Sequence, residues 1–161
     1  MRAPLLNLVA LLALAAGCSS SPSNPSGPTA DSYVGTWTFQ SGSIMPGCPA
    51  SLNVPNIDLT GQPMTITKVD STHVAVMIAG SEVMCDVHFT VDGATATVAP
   101  GQTCAIQANG QSAVVNVSTW TLTLSPSGTG LDMSMAGSAT VVIVTCNPTS
   151  TGTLTKSTDA G

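Results

Sequence analysis

From Tyr33 to Thr155 the sequence repeats one pattern: apolar residues at every second position, in short runs separated by turn-forming residues. A period of two places alternate side chains on opposite faces of a strand, so each run reads as a half-buried strand. The runs cover 33–39, 64–69, 72–78, 82–91, 94–99, 104–108, 112–124, 131–135, 139–146 and 152–155, with 131–135 and 139–146 alternatively one strand bent at Gly137. A poorer run at 51–59 contains Pro55, which confines it to an edge strand or a loop. Asp70-Ser71, Asp92-Gly93 and Asn109-Gly110 separate neighbouring runs, and the last two are strong signals for two-residue hairpin turns. Pro100-Gly101-Gln102 and residues 126–130 turn the chain again. The expected fold is all-β: an antiparallel meander of eight to ten strands, closed as an up-and-down barrel, with a Greek-key β-sandwich as the alternative.

Composition supports strands over helices. Charged residues make up 7% of the 161 residues, against roughly a quarter in an ordinary domain. Glu occurs once and Lys twice, so the residues that clothe surface helices are nearly missing. Within the run 112–124 the apolar positions change phase, from Val115 and Val117 to Trp120, Leu122 and Leu124. A β-bulge at Ser118-Thr119 would restore a single buried face. A transmembrane barrel is not expected, because five aromatic residues cannot form two interfacial girdles.

The N-terminus reads as an export signal. Arg2 precedes the apolar run 8–16, which is too short to span a bilayer stably. Leu14-Ala15-Ala16-Gly17-Cys18 resembles the lipobox of bacterial lipoproteins, with Ala15 where Leu is usual. The resemblance implies cleavage before Cys18, lipidation of Cys18 and acylation of the new terminus. The alternative is plain cleavage after Ala13-Leu14-Ala15. By the same resemblance, Ser19 in place of Asp points to the outer membrane. The expected organisation is a signal peptide at 1–17, the lipidated Cys and a Ser/Pro/Gly tether at 18–32, one β domain at 33–156 and a tail at 157–161. The tether's fourteen residues after Cys18 reach about 50 Å when extended.

Five cysteines leave one over in an exported chain. Lipidation of Cys18 leaves four, which an oxidising compartment would join as two disulfides. Cys146 ends the last long run and Cys48 follows the first, so a Cys48–Cys146 bridge would staple the seam where a barrel closes. Cys85–Cys104 would then enclose the hairpin at Asp92-Gly93; this is one of three connectivities. No zinc-type spacing occurs.

All eight acidic residues lie after Cys18, whereas only Lys68 and Lys156 remain basic there. That balance argues against nucleic acid as a partner and against attraction to anionic headgroups. Asp86, His88 and Thr90 share one strand face, as alternation alone would produce. A metal site could be drawn from His73 and His88 with Asp86 or Glu82, but two isolated histidines without ligand spacing do not define one. There is no G-x-S-x-G elbow, phosphate loop or dinucleotide fingerprint. No catalytic residue, metal or cofactor is assigned.

Gly35-Thr36-Trp37, at the first run, resembles the G-x-W motif that opens lipocalins and related calycin barrels. In those proteins the Trp packs across the closed barrel end and a late Arg stacks on it. Here the mature chain has no Arg, and Lys156 lies late enough to stand in. The resemblance implies a barrel interior for a small apolar ligand. Trp37, Met64, Met77, Trp120, Met133 and Met135 are the candidate lining. Two functional readings follow: a membrane-anchored, non-catalytic lipoprotein that binds a small hydrophobic ligand, or a structural or adhesive surface lipoprotein with a packed core. They differ in whether the barrel is hollow. Oligomeric state is not legible in the sequence.

Overall fold

A computed structural model describes residues 27–80, 82–108, 110–141 and 143–157. The expected signal peptide, Cys18, most of the tether and the end of the tail lie outside these residues. A single turn of helix, α1 (Ala30–Tyr33), leads into eleven strands: β1 (Gly35–Met45), β2 (Ile57–Asp58), β3 (Pro63–Lys68), β4 (His73–Ala79), β5 (Val83–Asp92), β6 (Thr95–Val98), β7 (Thr103–Ala108), β8 (Gln111–Leu124), β9 (Gly130–Val141), β10 (Val144–Cys146) and β11 (Thr149–Lys156).

The eleven strands make eight staves. β1 pairs with both β2 and β3; β5 and β8 each pair with both β6 and β7; β9 pairs with both β10 and β11. Thus β2/β3, β6/β7 and β10/β11 are each one stave in two pieces. A proline sits at each break (Pro63, Pro100, Pro148), where a missing N–H cannot continue the ladder. The stave order follows the chain, and β11 pairs antiparallel with β1 from Trp37↔Lys156 to Met45↔Thr149. The result is a closed eight-stranded antiparallel barrel, not a sandwich. Closure removes the unpaired edges an open sheet would expose.

Each stave turns alternate residues inward, and the inward set forms one core. Along β5 the pattern is strictly buried then exposed, from Val83 to Asp92. Trp37, Phe39, Met64, Phe89, Trp120 and Leu122 are at most 1% exposed. Phe89 meets Trp120 edge-on, with ring centroids 5.4 Å apart. The bulge expected at Ser118-Thr119 is present: Val117 faces Gly137 while Thr119 faces Ala136, so Ser118 has no cross-strand partner. Its Oγ donates to the Ala136 carbonyl at 3.0 Å.

Three expectations change. The β domain begins before residue 33: Tyr33 belongs to α1, and Ala30 and Tyr33 are fully buried, so the end of the 18–32 tether is part of the fold. The run 139–146 is not one strand, because the chain reverses after Val141 and returns as β10. At the 92–95 hairpin Asp92 pairs with Thr95, so the two turn residues are Gly93 and Ala94. Gly93 has φ +57° and Ala94 is not in the positive-φ region, which suits a type II′ turn with Gly first.

Candidate functional site

The up-and-down path gives the barrel two unlike ends. One end gathers α1, the turns at 69–72, 93–94 and 125–129, and Lys156; the other gathers the loop 46–56, the turns after β4, β7 and β9, and the Cys48–Cys146 bridge.

The first end is closed. Trp37 is fully buried, and its Nε1–H donates to the Tyr33 carbonyl at 2.8 Å, tying the strand to the helix before it. Tyr33 donates its hydroxyl to the Gly93 carbonyl across the barrel end at 3.3 Å. Burial pushes the Tyr33 phenol up to about 12. Lys156, the register partner of Trp37, places Nζ 5.3 Å from the centroid of that ring. It also donates to the Ser32 carbonyl at 3.4 Å. The lysine arm crosses directly over Gly35, where a Cβ would stand 2.9 Å from Lys156 Cε. Gly35 also has φ +139°, a conformation that side chains rarely adopt and that favours glycine here, whereas the flexible lysine arm could shift to admit a Cβ. Lys68 then pins α1 from outside, with Nζ 2.8 and 2.9 Å from the two Asp31 oxygens. Lys156 therefore occupies the position that the G-x-W resemblance reserves for a late cation.

The second end holds an apolar cavity of about 50 Å³, walled by Ile44, Ile57, Ile106, Val115, Ala139 and Cys146 among others. The Cys48–Cys146 bridge stands at its edge, joining the loop after β1 to the end of β10. Gly47, with φ +60°, packs against the Asn147 carbonyl beside it. The second bridge, Cys85–Cys104, links directly opposed residues of β5 and β7 inside the barrel. Both disulfides match the pairing expected from the sequence.

The candidate lining does not. Trp37, Met64, Trp120, Met133 and Met135 point inward but are packed at 5% exposure or less, as part of the core and not as walls of the mouth cavity. Met77 faces outward at 48% exposure. Its neighbours Val76 and Ile78 are buried, and the strand period sends Met77 to the other side. The cavity walls come from short β-branched and small residues on six different elements, which no local pattern marks. A cavity of 50 Å³ is a third of one known to hold benzene, so it admits the tip of an apolar group and not a lipid.

Two polar atoms inside the barrel, Trp120 Nε1 and Ser150 Oγ, have no hydrogen-bond partner among the described residues. Both belong to one inward row, Trp120–Met135–Ser150–Ile44.

The residues with chemical potential lie apart. His73 Nδ1 is 2.9 Å from both Asp70 oxygens at the exposed turn between β3 and β4. The Thr72 N–H, and then His73, hold the Asp70 carboxyl down at about 2. Asp86, His88 and Thr90 do share the outer face of β5, and the His88 N–H donates to the Gln102 side chain at 3.2 Å. Among the described residues no group of three His, Cys, Asp or Glu is close enough to hold a metal.

Comparison of the chain with protein-family models, with curated proteins and with solved structures finds no match.

Proposed function

We propose that this is an exported, lipid-anchored cell-envelope protein, non-catalytic and lipocalin-like in form, that acts through the outside of a packed barrel. The observation that carries the reading is the filled interior. Trp37, Phe39, Met64, Phe89, Trp120, Met133 and Met135 occupy the space a calycin-type ligand would need, all at 5% exposure or less. The anchor rests on the lipobox-like Leu14-Ala15-Ala16-Gly17-Cys18 and on cysteine parity: of five cysteines in the sequence, the four among the described residues pair with one another. Several acyl chains on one residue would hold it to a membrane, for which Ser19 favours the outer one. The chain enters at the closed end, so the mouth would face away from the point of attachment and the side wall would stand free around it.

A second reading, binding of a small apolar molecule, keeps one specific support: the mouth cavity with its apolar walls.

The test has two parts. The wild-type chain is expected to incorporate labelled palmitate and to sediment with outer-membrane fractions, whereas Cys18→Ala loses both. Native mass spectrometry of protein taken from its membrane is expected to show no retained apolar ligand. A bound apolar mass at unit stoichiometry would overturn the packed-barrel reading in favour of the second.

A further inference from the structure

The outer wall carries a feature that alternation alone does not demand. Where β1, β11, β9, β8, β6 and β5 run side by side, register aligns their outward residues into rows. One row reads Ser43–Thr151–Ser134–Thr121–Thr97–Thr90, six hydroxyl side chains in succession across six staves. The next reads Ser41–Thr153–Asp132–Thr123–Thr95–Asp92. Thr is a good strand former, so an exposed Thr needs no explanation by itself. What sets these two adjoining rows apart is their continuity over six staves, with Asp132 and Asp92 their only charges in a chain that holds one Glu and two Lys.

The rows are also not featureless. Over β1, β11 and β9 they border an open groove of about 520 Å³, lined by Ser41, Ser43, Asp132, Thr151 and Thr153. Its floor includes Gly42 and Gly152, which face each other across the barrel seam. Missing both Cβ atoms, the wall closes down on the Phe39 ring, whose atoms lie 3.2 Å and 3.0 Å from where those Cβ atoms would stand. The register shift between Phe39 and Ser41 lets β1 make this dip.

We infer that this groove is a binding surface for a neutral polysaccharide chain. The inference rests on the packed-barrel reading and names its partner. Each Ser or Thr hydroxyl both donates and accepts, as do sugar hydroxyls, so the rows can match a polyol without leaving a group unpaired. Within a row, neighbouring hydroxyls recur about every 4.8 Å from strand to strand, close to the rise of one pyranose ring in an extended glycan. Asp132 adds an acceptor able to take both protons of a vicinal diol. No cation lines the groove, and its one charged side chain is the Asp132 carboxylate, so glycans bearing carboxylate, sulfate or phosphate are disfavoured. No aromatic side chain lines it, so hydrogen bonds must do the recognition and affinity per site is weak.

The test is an amide-resolved NMR titration of the disulfide-bonded chain with a β-1,4-linked glucose tetramer, an N-acetylglucosamine tetramer and a polygalacturonate oligomer. A neutral tetramer is expected to shift the amides of Ser41, Ser43, Asp132, Thr151 and Thr153, with the acidic oligomer giving none. The double variant Thr151→Val/Thr153→Val keeps shape and strand preference, and is expected to weaken binding at least fivefold while its spectrum stays dispersed. Absence of shifts with both neutral sugars, shifts elsewhere on the barrel, or equal binding by the variant would each overturn the inference. A parallel titration with an apolar dye separates the two levels of argument: shifts at Met64, Trp120 and Met133 would mean that the packed-barrel reading itself has failed.

Discussion

Removing the seam disulfide should cost this barrel more than removing the inner one, for a reason that can be worked from the chain. Cys48 and Cys146 are 98 positions apart, whereas Cys85 and Cys104 are 19 apart. In the chain-entropy account a bridge closing about 100 residues stabilises by about 4.7 kcal/mol, and one closing some 15–20 residues by about 3 kcal/mol. Cys48 is half-buried in a loop, whereas Cys146 is 2% exposed beside the mouth cavity, so Cys48→Ala/Cys146→Ala adds a smaller packing loss to that entropy. The expected loss is therefore about 4–5 kcal/mol, which lowers Tm by roughly 10–20 °C for a domain of this size. Urea unfolding followed by far-UV circular dichroism measures it, with the midpoint falling. A loss below about 1 kcal/mol at unchanged m-value would refute the reasoning. It would mean that residual structure already restricts the unfolded chain between residues 48 and 146, so that the bridge removes little further entropy.

Other outcomes follow from single contacts. Lys156→Met should destabilise by about 1 kcal/mol through loss of the charge over Trp37, and Lys156→Arg should restore it, read by thermal unfolding and Trp emission. Gly47→Ala should be strongly destabilising, because its Cβ would enter the Asn147 carbonyl at a positive φ; equal Tm values would sink this. Ser150→Ala should be neutral or raise stability by up to about 1 kcal/mol, since its hydroxyl is buried without a partner; a loss instead would reveal a bound group at that hydroxyl. The phenol of Tyr33 titrates at about 12 when folded and near 10 when unfolded, so its contribution is complete below pH 10 and is lost as pH rises through 12. Tyr33→Phe should flatten that fall in an alkaline unfolding series.

Much of the fold was local and therefore legible. Period-two alternation is a property of each run, so the strands, the phase change at Ser118-Thr119 and the turn glycines could be read without knowing any partner. The two disulfides were legible because barrel closure and cysteine parity together favoured one pairing of three. Met77 was misplaced through residue type: its side chain suits an apolar lining, but its position between Val76 and Ile78 sends it outward.

What tertiary structure decided was everything that depends on which strands meet. Alternation gives each strand an inner face but not the diameter those faces enclose, so whether Trp37, Met64 and Met133 line a cavity or fill it depends on closure around eight staves. The same holds for Lys156 over Trp37, for the mouth cavity and for the hydroxyl rows. Each is assembled from residues far apart in the chain, and only the register between strands brings them side by side.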